Sequence, residues 1–135
     1  MRQVYFPRIQ VVKTGATVDF QATDKGHNSE SIDKMMPDGG EEWSGKINSE
    51  VEATLTVPGF YGYQCTPHAT VGMVGMIIVE GEGMMANLDA AKGVRQRGKA
   101  KKIWEEIFAE IDGMEFAVFW RASQRRVWRP FSVLG

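Results

Sequence analysis

Apolar and polar residues alternate along several short segments in the first two thirds of the chain. Such alternation turns one face of an extended segment toward a core and the other toward solvent, which is typical of β-strands. Thr14-Gly15 and Pro58-Gly59 flank these segments at places where turns are expected. Short strands at this spacing predict a β-sandwich or barrel. The predicted strands are residues 9–13, 16–21, 51–57, 60–65 and 74–79, and residues 24–50 are predicted to be loops with room for one short strand.

A helical period replaces the alternation near residue 83. Residues 87–93 predict one short helix with Asn87 as its N-cap. Residues 100–112 predict a longer amphipathic helix that ends at Gly113. Its apolar residues recur every three or four positions, so they form one stripe that can pack on the sandwich. The stripe consists of Ile103, Trp104, Ile107, Phe108 and Ile111.

The chain divides into one domain and a tail. Its 135 residues can build one hydrophobic core but not two independent ones. We expect a domain over residues 1–112, with the sandwich in 1–83 and the helices in 84–112. The tail, residues 113–135, carries four arginines, one acidic residue and two of the four tryptophans. It either contacts a membrane surface or an acidic partner, or it is an extra helix or extension, which is the commoner case for such charge runs.

Charge and composition exclude several classes of protein. Sixteen Lys and Arg residues against 17 Asp and Glu residues give a formal net charge of −1, which argues against a nucleic-acid-binding protein. The single cysteine cannot form an internal disulfide. No apolar run approaches the roughly 20 residues of a membrane span, so we expect no stable membrane insertion. The first eight residues also lack the apolar stretch of a signal peptide.

The residues with the strongest ligand chemistry lie in two separate segments. His27 stands in a polar stretch, while Cys65 is followed by His68 and then by Met73. A thiolate and two imidazoles with a weak thioether are the donor set of blue-copper electron-transfer sites. Cys65 ends one predicted strand, and the short loop before the next strand carries His68 and Met73. If the loop of His27 lies at the same end of the sandwich, these residues form a type 1 copper site.

Two other kinds of site use the same residues. Cys65 can serve as a nucleophile with His27 or His68 as its base, although no oxyanion arrangement stands out near them. Cysteine and histidine also bind zinc, in a structural, storage or delivery site. Taken alone, a cysteine is more often a small buried hydrophobe than a reactive group. The combination favours copper, because both histidines and the only cysteine occupy ligand positions.

The chain resembles the pseudoazurin family. The resemblance covers about residues 6–112. Plastocyanins share the Cys-x2-His-x4-Met loop but lack the two helices that follow the sandwich, so the helices distinguish the two families. The segments that carry it are residues 23–28, 36–39, 46–48, 58–59, 61–62, 65–68, 72–75 and 86–93. The resemblance implies a mainly β cupredoxin fold, a Greek-key sandwich followed by two α-helices.

The same resemblance implies a function. It implies one type 1 copper ion, no enzymatic activity, and a periplasmic monomer that passes single electrons in transient encounters with redox partner proteins. These partners would be denitrification enzymes such as nitrite reductase or nitrous-oxide reductase. The alternative is a cupredoxin-like copper-binding or copper-delivery protein without a carrier role.

The resemblance also assigns roles to residues around the copper ion. Asn28 matches the residue that ties the two ligand loops together and donates its backbone N–H to the thiolate, as outer hydrogen bonds of a metal site often do. Pro67 has no N–H and so adds no further donor to the sulfur of Cys65. The residues that match the family's copper ligands are His27, Cys65, His68 and Met73.

In the family, the partner docks on an apolar patch around the second histidine of the site. Lys25, Met36 and Pro37, together with Pro67, are the candidates for this docking face. Packing within the loops is the alternative for Met36, Pro37 and Pro67.

The chain departs from the family pattern in three places. It begins where the first strand of the family should already have ended, so we expect that edge strand to be missing, which would expose a neighbouring strand. Ser44 and Gln64 stand where the family often has lysine, so charge steering toward a partner is expected to be weaker. Residues 69–71 lack the aromatic residue and glycine often found there.

Overall fold

The computed structural model describes residues 8–20 and 26–116. The two α-helices in this part of the chain are α1 (Leu88–Lys92) and α2 (Lys99–Asp112), and two short 3-10 helices span Thr66–Val71 and Met84–Asn87. All the predicted strands and both predicted helices are present, with ends displaced by no more than one or two residues. The strands are β1 (Ile9–Lys13), β2 (Ala16–Phe20), β3 (Glu30–Ser31), β4 (Val51–Leu55), β5 (Gly59–Gln64) and β6 (Val74–Glu80).

The strands form two sheets. The larger sheet has the order β1-β6-β5-β3, with β1 parallel to β6 and β5 antiparallel to both of its neighbours. β2 and β4 pair antiparallel in the second sheet. Every residue of β6 is buried, because this strand is covered on both of its faces. β5 and β6 therefore form the centre of the molecule, and the loop that joins them is anchored at both ends.

Alternate residues of β5 and β6 face two different cores. Tyr61 and Ile77 belong to the inter-sheet core, which lies between the two sheets. Phe60 and Ile78 belong to the helix-side core, which lies between the larger sheet and the helices. This is the side on which the predicted apolar stripe packs. Of its residues, Trp104, Ile107 and Ile111 are buried, and Ile103 and Phe108 are partly buried against the same core.

Asn87 precedes α1 as predicted, but its side chain does not cap that helix. Its Oδ1 accepts a hydrogen bond from the N–H of Phe60 (2.9 Å), and its Nδ2 donates to the carbonyl of Phe60 (2.8 Å). Asn87 thus occupies the predicted N-cap position, but the capping hydrogen bond is absent because the backbone of β5 occupies both functional groups of the amide. The side chain thus fastens the helical segment to the central strand.

Residues 1–7, 21–25 and 117–135 lie outside the described part of the chain. The expected absence of a first strand, the docking candidate Lys25 and most of the predicted tail fall there. In the part that is described, none of the helices combines the length and the apolar character needed to cross a lipid bilayer.

Candidate metal centre

Cys65, His68 and Met73 lie on the loop between β5 and β6, here called the Cys65–Met73 loop. Its main chain is closed by hydrogen bonds among these same residues. The N–H of Cys65 donates to the carbonyl of Met73 (3.0 Å), and the N–H of His68 donates to the carbonyl of Cys65 (3.0 Å). The N–H of Met73 donates to the carbonyl of His68 (3.2 Å). These bonds hold the three residues in one compact turn at the end of two buried strands.

The sequence of the Cys65–Met73 loop suits this turn. Pro67 lies in the first turn of the 3-10 helix, where the missing N–H costs no helical hydrogen bond, and it is exposed. Gly72 ends the helix with φ 100°, in the left-handed region that favours glycine. A Cβ atom at Gly72 would lie 3.0 Å from Cγ1 of Ile103, so α2 packs directly against the loop.

His27 lies on the loop that precedes β3. Its carbonyl accepts a hydrogen bond from the N–H of Asn48 (3.0 Å), and Oδ1 of Asn48 accepts one from the N–H of Gly26 (2.6 Å). Asn48 has φ 67°, a left-handed conformation that asparagine tolerates better than most residues do. One residue therefore holds the backbone on both sides of His27.

The donor atoms of His27, Cys65 and His68 form a nearly regular triangle. The two Nδ1 atoms are 3.2 Å apart, and Sγ of Cys65 is 3.7 Å from Nδ1 of His27 and 3.4 Å from Nδ1 of His68. A point equidistant from the three atoms lies about 2.0 Å from each, close to typical metal–nitrogen bonds of about 2.0–2.1 Å and metal–thiolate bonds of about 2.3 Å. A single metal ion therefore fits between them. Within residues 8–20 and 26–116, the His, Cys, Asp or Glu side chains whose donor atoms lie close enough together to hold a metal ion are those of His27, Cys65 and His68.

The site is closed toward the protein and partly open toward solvent. Cys65 is fully buried and Met73 is 6% exposed, whereas both histidines are partly exposed. The two histidines are thus the donor residues that are partly exposed to solvent. The ligand role of the Met73 thioether stays a prediction, although its backbone is bonded to both Cys65 and His68.

The side chain of Asn28 joins the two loops that carry the donors. Oδ1 of Asn28 accepts a hydrogen bond from the N–H of Thr66 (2.7 Å). Nδ2 donates to Oγ1 of Thr66 (3.1 Å) and to the carbonyl of Gly45 (3.0 Å). Since Thr66 directly follows Cys65, Asn28 links the segment of His27 to the segment of Cys65. Donation of its backbone N–H to the thiolate stays a prediction.

The docking candidates differ in how far they reach the surface. Pro67 is exposed and adjoins His68 in the chain. Met36 is partly buried against the inter-sheet core. Pro37 is buried, and a Cβ atom at Gly59 would lie 2.8 Å from its ring. The alternative of packing within the loops therefore fits Pro37 better, because the proline fills the space that this glycine leaves beside β5, and a docking role for Pro37 stays a prediction.

Sequence reasoning missed two residues that support the site. Asn48 lies in one of the segments that carry the family resemblance, but nothing local showed that it would bond to both sides of His27. Glu30 accepts a hydrogen bond from Oγ1 of Thr66 (3.1 Å), a contact that depends on the pairing of β3 with β5. Such pairings bring distant residues together, so no sequence pattern could have indicated this one.

Comparison with known proteins agrees with this geometry. Residues 3–80 match the copper binding proteins of the plastocyanin/azurin family. Pseudoazurin of Paracoccus pantotrophus is 38% identical over 109 residues, which cover 81% of this chain and 74% of that protein. Pseudoazurin of Methylorubrum extorquens is 35% identical over 108 residues, covering 80% of this chain and 72% of that protein. 

The solved structures give the same result. A Sinorhizobium pseudoazurin is 48% identical and superposes with a TM-score of 0.75, covering 80% of this chain and 83% of that one. The predicted mainly β cupredoxin fold with C-terminal helices is thereby confirmed.

Proposed function

Because the chain belongs to the pseudoazurin family of copper-binding electron carriers, we propose that four side chains hold its copper ion: His27, Cys65, His68 and Met73. The observation that carries this proposal is the triangle of two imidazole nitrogens and one thiolate sulfur, with sides of 3.2, 3.4 and 3.7 Å. These are the donors expected of a blue-copper centre, to which the thioether would add a weak axial ligand.

Copper bound at such a site supplies a one-electron redox couple, and the protein keeps its surroundings constant. The hydrogen bonds within the Cys65–Met73 loop and those from Asn28 resist displacement of the donors. The donors can therefore serve both oxidation states with little rearrangement, which lowers the energetic cost of electron transfer. His68, which is partly exposed beside the exposed Pro67, is the proposed route for the electron to a partner.

A nucleophilic role for Cys65 has no support in this geometry. The sulfur is fully buried, so a substrate does not reach it directly from solvent. Two imidazole nitrogens lie within 3.7 Å of it, which is the arrangement of a metal site and not of a single nucleophile–base pair. The family carries electrons and does not catalyse reactions, so the chain is not an enzyme.

We further propose that the protein is a periplasmic monomer that donates electrons to nitrite reductase or nitrous-oxide reductase. The support is the family resemblance, together with a site whose histidines reach the surface. Redox encounters of this kind use small, transient interfaces. A partly exposed imidazole with one exposed proline beside it suits such brief contact.

The first experiment adds Cu(II) to the metal-free protein and records visible and EPR spectra. We expect an intense visible band from the thiolate–Cu(II) bond and its loss on reduction. Cys65→Ala removes the only thiol and should abolish the band. A Cys65→Ala protein that stayed blue with copper, or a wild-type protein that bound copper without the band, would refute the proposed centre.

The ligand role of Met73 has its own test, because the chain offers a matched control. Met73→Leu removes the thioether at similar volume, whereas Met76→Leu makes the same change within the helix-side core. We expect Met73→Leu to change both the visible spectrum and the reduction potential, and Met76→Leu to change neither. Identical spectra for the two variants would show that Met73 is not a ligand.

Stopped-flow mixing separates the carrier role from copper delivery. The reduced protein is mixed with copper nitrite reductase and, separately, with nitrous-oxide reductase. An electron carrier becomes blue again while its copper content stays constant. Loss of copper to the other protein, without reoxidation, would identify a delivery protein, and failure to react with either reductase would refute the proposed partners.

A further inference from the structure

Glu30 lies where three segments around the metal centre meet. It is paired with Gln64 across β3 and β5, and it forms a bridge with Ser44 on its other side. Its carboxylate accepts hydrogen bonds from Thr66 Oγ1 at 3.1 Å, Ser44 Oγ at 3.4 Å and Gln64 Nε2 at 3.5 Å. Two of these donors, Gln64 and Thr66, are the immediate neighbours of Cys65.

The hydroxyl of Thr66 connects Glu30 to the bridge between the two ligand-bearing loops. A hydroxyl group has one proton to donate and two lone pairs that accept. Nδ2 of Asn28 donates to Oγ1 of Thr66, and this hydroxyl oxygen lies 3.1 Å from the carboxylate of Glu30. The proton of the Thr66 hydroxyl therefore points to Glu30. The carboxylate thus sets the direction of a chain of hydrogen bonds from Asn28 through Thr66 to Glu30.

The same carboxylate places a negative charge close to the metal centre. Its three donors are neutral side chains, and none of the ion pairs between described residues includes Glu30. Oxidation of a bound copper ion adds one positive charge to the site. A nearby negative charge therefore favours the oxidised form, by an amount that solvent screening reduces.

We propose that Glu30 is a positioning residue of the metal centre and that its charge lowers the reduction potential of the bound copper. This inference rests on the proposed copper site. It extends that site by a residue that is neither a ligand nor a neighbour of a ligand in the chain.

Reduction potentials test the charge. Glu30→Gln keeps the shape and an acceptor oxygen for Thr66 but removes the charge. We expect its potential to rise, so that the Cu(I) to Cu(II) ratio at a fixed mediator potential increases roughly threefold, the scale of a charge interaction screened by solvent. Glu52→Gln is the matched control, because it removes the same charge from an exposed position on β4. Glu30→Asp keeps the charge and should stay near the wild-type value.

Amide hydrogen exchange in the metal-free protein tests the positioning. Glu30→Ala removes the acceptor of the Thr66 hydroxyl, which loosens the pairing of Thr66 with Asn28. The N–H of Thr66, which donates to Oδ1 of Asn28, should therefore exchange several-fold faster than in Glu30→Gln, with far-UV circular dichroism confirming the fold. A potential that rises no more in Glu30→Gln than in Glu52→Gln would overturn the inference about charge. Unchanged exchange in Glu30→Ala would overturn the positioning role. A wild-type protein without a blue centre would instead refute the proposed function itself.

Discussion

Single side chains decide how the two ligand-bearing loops meet. Asn28 uses both the oxygen and the nitrogen of its side-chain amide, and two of the three side-chain hydrogen bonds given above go to Thr66. Without the Asn28 side chain, the N–H of Thr66, next to the buried Cys65, loses its acceptor Oδ1. The amide therefore affects both the stability of the fold and the retention of the metal.

Asn28→Ala should lower the free energy of unfolding by about 1–3 kcal/mol, since it leaves former partners unpaired. It should also speed the loss of copper to a chelator. Asn87→Ala is the control, because it likewise removes two main-chain hydrogen bonds, but from Phe60 in the other half of β5. Urea unfolding and the rate of copper removal check both effects, and equal rates of copper loss in the two variants would contradict the bridging role.

Tyr61 makes the stability of the protein sensitive to alkaline pH. Its ring is fully buried, and its hydroxyl donates to the carbonyl of Val57 at 2.6 Å. Burial first, and then the charge of Glu41, raise the pKa of Tyr61 to about 12. An unfolded tyrosine ionises near pH 10, so the unfolded state loses its proton first and stability falls as the pH rises from about 10 toward 12.

Tyr61→Phe should flatten this alkaline loss while costing about 1 kcal/mol at neutral pH for the missing hydrogen bond. Tyr63, whose pKa is also raised by burial, is present in both proteins and so cancels in the comparison. Urea unfolding at neutral pH and near pH 11 measures the difference. Parallel stability curves for the two proteins would exclude Tyr61 as the source.

The sequence allowed the donor residues to be predicted but not all of their surroundings. His27, Cys65 and His68 were identifiable because the chain has so few residues of these types, and each one stood at a ligand position. The sequence left docking and loop packing open for Pro37, because its burial depends on the absence of a side chain at Gly59, at the start of β5. Contacts of this kind arise only once the strands have paired.

Among the elements of secondary structure, α2 has a role beyond covering the core. Its N-terminal end packs against the Cys65–Met73 loop at Gly72 and Gly98. Gly98 has φ 60° with ψ −147°, a conformation almost restricted to glycine, and a Cβ atom there would lie 2.5 Å from the carbonyl oxygen of Thr70. The helix and the loop can approach this closely only because the side chain is absent.

Gly98→Ala should therefore destabilise the fold by about 1–3 kcal/mol through backbone strain. It should also shift the loop that carries His68, which changes the visible spectrum of the copper form. Gly93→Ala is the control, because φ is −80° there and the nearest atoms to a new Cβ lie 3.6 Å away. Thermal unfolding and visible spectra of both variants make the comparison. A normal spectrum for Gly98→Ala would show that the helix does not shape the metal centre.

The elements themselves were predictable because their signals are local. Alternation indicated β1, β2 and β4, a run of β-forming residues indicated β6, and the three-and-four spacing of Ile103 to Ile111 indicated α2. The parallel pairing of β1 with β6, and the burial of β6 on both faces, follow from long-range contacts. The capping role assigned to Asn87 failed for the same reason, since its partner lies in β5.

In the whole molecule, the metal centre lies outside the two cores that hold the fold together. The inter-sheet core and the helix-side core pack on opposite faces of β5 and β6, and neither contains His27, His68 or Cys65. The cores therefore do not need a metal ion to form. This distinguishes the chain from small metal-dependent domains that are unfolded without their ion.

We expect the metal-free protein to keep its sheets and helices and to be less stable than the copper form. An ion that binds only the folded state at a thousand times its dissociation constant adds about 4 kcal/mol of stability. Far-UV circular dichroism of the two forms should coincide, and the melting temperature should rise on copper addition. In Cys65→Ala, copper should raise the melting temperature far less, because one donor is gone. A metal-free protein without a β-sheet spectrum would show instead that the loops around His27 and Cys65 need the ion to form the sandwich.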